Sequence, residues 1–525
     1  RKDPPMPPLP EGQPPGGVEE HASREALRER ARARGATDRC VGIHALEVYT
    51  PRHAAYAKQL EDEHGVPGKY TDGLLMEAYC GPDWDEDPVS MALTVVSRLL
   101  WRNNIRHTDI GMIQVGSESL LDASKSIKSN LMALFEAHGV TDIQGTDQYN
   151  ACYGGTAALL NCFNWVQSAS WDGRWALAVA TDIADAPPQY RFMVGAAATA
   201  MLVGPDGPLE LQRERVSHIL DRWDFYKPVG WHEMAPVVDG PYSIEVYFSC
   251  LDACQRQIGE RAGFVNLIES HDYIVYHLGS GPKFVKHAFE RSCAMAFATD
   301  EAARHLEAEH QWGEYATPRK GTARQKFAGM RQAKQDRLFD EKVGPSLCLA
   351  ARIGPMHTAA AYTNLTSLLL EKREELLGKS IAVFSYGSGA ASTLYRLQVR
   401  RLPVTNWNKH EELDKRIYHS AAEFDRICAR YADTYGRFGW KAEVSHSQHP
   451  GAYYLTECDS LGRRAYHLVR DPEMRLRGPT LITIQKPEGG WALDDEAQQA
   501  GEGQQAEEGQ DAGEGVVAPT APSRV

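Results

Sequence analysis

Residues 150–160 read NACYGGTAALL. One cysteine, Cys152, stands between an extended stretch, IQGTDQYNA (143–151), and a run of helical character over 153–168. A helix start presents unpaired N–H groups and the positive end of the helix dipole. Both favour a thiolate, the nucleophilic form of cysteine. Gly154 and Gly155 let backbone approach a substrate closely. A free cysteine is also commonly an inert core residue. On chemistry alone the two readings, nucleophile and core, stand level.

Outward from this stretch, strands and helices alternate. CVGIHALEVY (40–49), IGMIQVG (110–116), WALAVAT (175–181), ATAMLVG (198–204), YIVYH (273–277) and SIAVFSYG (380–387) are short apolar runs bounded by turn residues. They read as buried strands. SIKSNLMALFEAHG (126–139), Ser243–Ala262 and Thr358–Leu370 carry helical spacing. This alternation predicts an α/β fold with mixed sheets between helical layers.

Composition sets the outer bounds. The chain has 525 residues, 42% hydrophobic and 24% charged, which is ordinary for a globular protein. The net charge is -13, but much of the acid sits in the last residues. No basic patch with interleaved aromatics points to nucleic acid. No apolar run approaches the roughly 18 residues of a membrane span. Residues 1–17 are rich in proline and glycine, and 22–34 read as a charged helix without an apolar stripe. From Gly489 onward the chain is rich in Gly, Glu, Gln and Ala. Both ends lack packing capacity. The expected organisation is an extension over 1–37, halves over 38–240 and 241–487, and an acidic tail over 488–525. The chain begins at Arg1, which leaves a removed targeting peptide open. The ten cysteines are scattered, as in a reducing compartment. Cys250 and Cys254 are one helical turn apart with no second pair nearby, so no metal is expected.

Three further segments could carry chemistry. In VGSES (115–119), Glu118 follows a buried strand, where α/β sheets present functional groups. A helix-capping carboxylate is the plain alternative. In DYIVYHLGSGPKFVK (272–286), His277 ends a strand, with Lys283 and Lys286 beyond it. The histidine could polarise a thioester carbonyl, and the lysines could meet phosphate as point charges. A lone loop histidine without chemical use is the alternative there. VFSYGSGAAST (383–393) reads as a strand ending in a Gly-rich turn, and it lacks the spacing and lysine of a P-loop. Backbone N–H groups in such a turn can hold an oxyanion; a tight turn with no chemical use is equally consistent.

Together these segments resemble the eukaryotic-type 3-hydroxy-3-methylglutaryl-CoA synthases, over about residues 40–475. The resemblance rests on VGIHALEVYTP, GKYTDGL, SKSIKSNLM, TDIQGTDQYNACYGGTAAL, NWVQSASWDGRWALAVATDIA, DFYKP, VVDGPYSIEVYFSCLD, GKSIAVFSYGSGAAST and PGAYYLTECDS. It implies a thiolase fold of two similar halves in an αβαβα layering. It implies Cys152 as nucleophile, Glu118 as general acid/base and His277 as the histidine that anchors the second substrate. Lys69, Ser243, Lys283 and Ser388 match positions that contact substrate or CoA, with Lys286 beside the second family lysine position, which here is His287. Asp182, His218 and Asp224 match supporting polar residues. The implied substrates are acetyl-CoA and acetoacetyl-CoA, with no further cofactor, in a cytoplasmic homodimer; mitochondrion and plastid stay open.

The chain departs from the family in places. Where the family loop reads like GNARPTGG, this chain reads QYRFMVGA (189–196), with Tyr190 and Val194 at the Asn and Thr positions. A family tyrosine in that loop is Ala186. The family's GN-x-YT appears as GPMHT (354–358), with Pro355 at the Asn position. One extra residue separates His277 from Lys283. These changes keep two alternatives in view: a thiolase-superfamily acyltransferase working on carrier-protein thioesters, and a diverged, non-catalytic paralogue.

Overall fold

The strands at the centre of the molecule carry almost no polar side chains. Val41–Tyr49, Trp175–Ala184 and Gly195–Pro205 are buried along their whole lengths. A strand buried on both faces belongs inside a sheet that is covered on both sides. The computed structural model describes residues 39–228, 235–297, 335–442, 449–472, 474 and 478–484, with Ala26, Glu29 and Ala33. The expected tail and almost all of the expected N-terminal extension lie outside these residues.

A ten-stranded mixed sheet runs through the described chain. Its order begins Tyr273–Tyr276, Ser380–Gly387, Ala391–Val399, Leu209–Leu211, Val41–Tyr49. It continues Gly195–Pro205, Trp175–Ala184, Ile110–Gly116, Asp147–Gln148. Val216–Ile219 pairs with Ala391–Val399 off this path. Strands from both predicted halves therefore share one hydrogen-bonded surface. Within it, Ile110–Gly116 runs parallel to Asp147–Gln148 and to Trp175–Ala184. Tyr273–Tyr276 runs parallel to Ser380–Gly387.

Side chains alternate across the sheet with period two. On Trp175–Ala184, Ala176, Ala178 and Ala180 enter one core with Phe163 and Tyr362. Trp175, Leu177 and Val179 enter a second core with Leu93, Val96 and Phe135. The first is closed by helices Gly154–Val166, Gly240–Ala262, Pro282–Phe297 and Ala360–Lys372. The second is closed by Pro88–Arg102 and Ile127–Glu136. Pro88–Arg102 starts with an Asp87–Ser90 capping box and Pro88 at its first position. The antiparallel pair Ala452–Cys458 and Arg464–Val469 packs outside that helix, and Tyr453 N–H donates to Thr94 Oγ1 at 2.8 Å.

The strands and helices read over 40–387 match observed elements within a few residues, and the charged helix read over 22–34 lies almost wholly outside the described residues. The Gly-rich turn after Ser380–Gly387 is the tip of a hairpin: Gly387 pairs with Ala391, and the chain returns as Ala391–Val399. Among the described residues no helix is long and apolar enough to cross a membrane.

Candidate active site

The carboxyl ends of the parallel strands bring the chemistry-bearing residues to one edge of the sheet, where open α/β sheets present their sites. Ile110–Gly116 delivers Ser117, Glu118 and Ser119. Asp147–Gln148 leads to Cys152, and Trp175–Ala184 carries Asp182 near its end. Tyr273–Tyr276 ends at His277, which is buried.

Cys152 sits on a tight turn two residues before helix Gly154–Val166. Ala151 is in the left-handed region at φ 44°. A residue with a Cβ pays about 1–2 kcal/mol for that conformation, and such strain collects at functional positions. The glycines answer to crowding. A Cβ on Gly154 would meet the Gln148 carbonyl at 2.5 Å, and one on Gly155 the Thr358 carbonyl at 2.7 Å. The helix start is thus wedged between the strand end and the segment 357–359.

That segment supplies a residue the sequence reading did not single out. His357 is also left-handed, at φ 44°. Its Nδ1 lies 3.5 Å from Cys152 Sγ, and its Nε2 lies 3.5 Å from Glu118 Oε1. The thiol, carboxylate and imidazole atoms all fall within 4.8 Å of one another. Lys227 Nζ stands 3.4 Å from the same Glu118 oxygen. The Glu118 side chain is 6% exposed. Among the described residues neither of its oxygens accepts a hydrogen bond of normal geometry. A helix-capping carboxylate would be spent on backbone N–H groups, so the capping alternative fails. These donor types also suit a divalent metal, but the ring offers opposite nitrogens to the thiol and the carboxylate, and we assign none.

Asp182 ties these parts together. Its Oδ1 accepts from Ser117 Oγ at 3.0 Å, Glu118 N–H at 2.8 Å, Ser119 N–H at 3.0 Å and Ser119 Oγ at 2.8 Å. Its Oδ2 accepts from Thr358 N–H at 2.9 Å and Thr358 Oγ1 at 2.5 Å. One fully buried carboxylate therefore fixes both Glu118 and the residue after His357. Asp224 plays the same part for the Gly-rich turn, accepting from Tyr386 OH at 2.9 Å and Gly389 N–H at 2.7 Å. Asn150 Nδ2 donates to the Ser388 carbonyl at 3.0 Å, which joins that turn to the cysteine loop.

The electrostatics correct one expectation. The helix start was expected to favour a thiolate. Burial first, then the carboxylates of Glu118 and Asp182, instead push the Cys152 thiol well above its ordinary value, with Lys227 pulling the other way. The dipole is worth only about 0.3–1 kcal/mol. Moreover, Tyr153 N–H and Gly154 N–H already donate to the Asn150 and Ala151 carbonyls. The resting form is a thiol. Burial and then Lys227 lower His357 to about 4, against Asp182. Burial and then His357 lower His277 to about 3. Both imidazoles are neutral at pH 7. Burial opposes the Lys227 charge, but Glu118 and Asp182 hold the ammonium above its ordinary value.

The other sequence-predicted residues spread over a wider area. His277 N–H donates to the Phe384 carbonyl at 2.8 Å, and its ring centroid is 6.4 Å from that of Tyr386. Exposed Lys69 places Nζ 4.8 Å from the centre of the Phe192 ring, in the altered loop. Ser243 is in the first turn of Gly240–Ala262, and Lys283 is in the first turn of Pro282–Phe297. Lys286 forms an ion pair with Asp336 at 2.7 Å. His218 is half-buried on Val216–Ile219, its carbonyl accepting from Ser392 Oγ at 2.7 Å. Cys250 and Cys254 are buried, with Cys254 Sγ 3.4 Å from Ser392 Oγ. In the altered loop Val194 and Ala186 are buried, and Tyr190 is exposed. Arg191 pins the loop by pairing with Asp185 at 3.1 Å and Asp425 at 2.7 Å.

A cysteine beside a carboxylate and a neutral imidazole at the edge of a covered α/β sheet suits an enzyme that forms a covalent intermediate on the thiol. The family model described as hydroxymethylglutaryl-coenzyme A synthase N terminal matches residues 37–208, and the corresponding C-terminal model matches 210–469. The chain belongs to the hydroxymethylglutaryl-CoA synthase family. It is 38% identical over 459 residues to the cytoplasmic hydroxymethylglutaryl-CoA synthase of Cricetulus griseus, covering 83% of this chain and 86% of that protein. It is 36% identical over 463 residues to the hydroxymethylglutaryl-CoA synthase of Mycosarcoma maydis, covering 81% and 97%. Among solved structures it is similar to MvaS in complex with 3-hydroxy-3-methylglutaryl coenzyme A. That likeness has 28% identity and a TM-score of 0.67, and covers 82% of this chain and 99% of that one.

Lys227 and His357 were not among the sequence-predicted site residues. Lys227 lies in DFYKP, and His357 lies two residues after Pro355, at the tyrosine of the family's GN-x-YT. Neither residue carries a local signal of chemistry in its segment.

Proposed function

We propose that this chain condenses acetyl-CoA with acetoacetyl-CoA and water to give 3-hydroxy-3-methylglutaryl-CoA and CoA, through an acetyl-Cys152 intermediate. The observation that carries the reading is the meeting of Cys152 Sγ and the Glu118 carboxylate, with a neutral imidazole, inside 4.8 Å. Cys152 takes the acetyl group. Glu118, buried and among the described residues without a hydrogen-bond partner, removes a methyl proton from the acetyl-enzyme. His277, neutral and at a strand end, anchors and polarises the acetoacetyl thioester. The carbanion attacks the ketone carbon, and water releases the product from Cys152. The role of Lys227 is to balance charge at Glu118.

Lys69, Ser243, Lys283, Lys286 and Ser388 are read as substrate- or CoA-binding residues, and Asp182, His218 and Asp224 as supports. The reaction needs no cofactor beyond its thioester substrates. The protein acts as a cytoplasmic homodimer in the mevalonate route; the relative from Cricetulus griseus is named cytoplasmic.

The test is intact-mass spectrometry after mixing with acetyl-CoA, followed by acetoacetyl-CoA and product analysis. One acetyl adduct should form and be absent from Cys152→Ser, since an unactivated hydroxyl is a poor nucleophile. An adduct on Cys162 or Cys250 would sink the assignment. Turnover only with an acyl-carrier-protein thioester would move the substrate to the carrier-protein class.

A further inference from the structure

The resting thiol raises a question that the proposed roles leave open: what takes its proton. Glu118 is needed later for the methyl proton, and Lys227 is charged. Among the described residues His357 alone presents a ring nitrogen to Sγ, at 3.5 Å, while its other nitrogen faces a carboxylate at 3.5 Å. Nucleophile, base and orienting acid are recognised by this geometry rather than by chain order. We propose that His357 is the general base for acetylation of Cys152, with the Glu118 carboxylate facing its other ring nitrogen. The inference rests on Cys152 being the nucleophile.

The step balances as follows. With the proton on Nε2, which faces the Glu118 carboxylate, Nδ1 carries the lone pair toward the thiol. Sγ attacks the thioester carbonyl carbon of acetyl-CoA as its proton passes to Nδ1. The tetrahedral species collapses, the carbon–sulfur bond to CoA breaks, and the CoA sulfur takes the proton from Nδ1. The products are acetyl-Cys152 and CoA thiol, and His357 is neutral again. Glu118 has kept its charge and is free for the carbanion step. The position is built for this. The left-handed backbone at φ 44° turns the ring out of the segment, and Asp182 locks the next residue, Thr358. The Phe225 ring stands edge-on at 6.1 Å between centroids. Among the described residues the charged and titratable groups around the ring are Lys227, Asp182, Glu118, His277 and Cys152. A base lowered to about 4 is unprotonated across the neutral range. Its use makes acetylation independent of the concentration of free thiolate.

The experiment is rapid-quench acetylation of the full chain by acetyl-CoA, read by mass, for wild type and His357→Gly. Glycine keeps the positive φ without strain and leaves room for a small molecule. Acetylation of Cys152 should slow by roughly 10²–10³-fold, and added imidazole should restore it by at least about tenfold. From pH 6 to 8 the wild-type rate should stay nearly level, while the variant's rate climbs about tenfold per pH unit with the thiolate fraction. A variant that acetylates Cys152 within a few-fold of wild type overturns the proposal. So does a slowed variant that imidazole leaves unmoved while His357→Asn restores the rate, because that marks a positioning role. If the glycine variant does not fold, the wild-type profile decides: a tenfold rise per pH unit overturns the base assignment. Acetyl on another cysteine would instead overturn the nucleophile reading, a separate outcome.

Discussion

Asp182 and Thr358, 176 residues apart in sequence, are joined by two hydrogen bonds to a single carboxylate oxygen. The other oxygen of Asp182 holds the backbone of Glu118. Both sides of the Cys152 turn thus hang from one side chain. Asp182→Asn would aim an amide N–H₂ at N–H and O–H donors. It should cost about 3 kcal/mol, since hydrogen bonds to charged groups carry about 1.5–3 kcal/mol each. It should also lower turnover by roughly 10²-fold through misplacement of Glu118 and His357. Denaturant midpoint and steady-state rate check this together. A stable, fully active Asn variant would show that the pair is incidental.

Glu118→Gln separates the two halves of the reaction. A glutamine keeps the shape of the side chain beside His357 but cannot take a methyl proton. Cys152 acetylation should stay within about tenfold of wild type, while condensation falls by roughly 10²–10⁴-fold. Quench-flow mass measurement of each step decides. If condensation survives within a few-fold, another base must serve, and His218 and Asp224 are the residues to examine next.

Arg191 takes the middle of a loop where the family has different side chains. It is 2% exposed and pairs with Asp185 and Asp425. Burial raises Asp185 to about 6 even with Arg191 opposing. Arg191→Ala should cost about 3–5 kcal/mol, because a buried charge loses its partner. The loss should shrink below pH 6, where Asp185 takes a proton. Urea melts at pH 5 and pH 8 test this; equal losses at the two pH values would reject it.

Strand positions and the turn at the cysteine were legible in the sequence because they rest on local signals. Apolar runs bounded by turns marked Ile110–Gly116 and Ser380–Gly387 to the residue. Strand ends and glycines made Cys152 and Glu118 candidates, and the family resemblance, rather than local geometry, assigned their roles. His357 and Lys227 were not legible, since their meaning arises from contacts that cross the fold. Cys152 and His357 are 205 residues apart. The thiol's protonation was misjudged for a related reason. A helix start is visible in a sequence, but the desolvation and the two carboxylates that outweigh it are not. The return strand Ala391–Val399 was missed because SGA reads as an end of structure rather than a hairpin tip.

Glu86 supplies a pH dependence away from the site. Burial, then Asp85, raises its carboxyl to about 8, and Tyr49 OH donates to it at 2.5 Å. Between pH 4.5 and 8 the folded chain keeps this proton and the unfolded chain releases it. The unfolded state then binds fewer protons, so stability falls as pH rises, by at most about 1.4 kcal/mol per pH unit from this group. Glu86→Gln should leave the melting temperature unchanged at pH 4 and raise it at pH 8. Parallel melting curves for the two proteins across that range would refute the shift.

The shared sheet has a consequence for how the chain can be cut. The family's N-terminal model ends at 208, yet the open side of Val41–Tyr49 is covered by Leu209–Leu211 and by residue 404, whose carbonyl accepts from Leu46 N–H. A fragment stopping at 208 would bare the backbone donors and acceptors of a strand buried along its whole length, the very surface on which chains aggregate. The two segments are therefore obligate partners in folding. Expressed separately, they should precipitate or find each other, and the intact described region should unfold in a single transition.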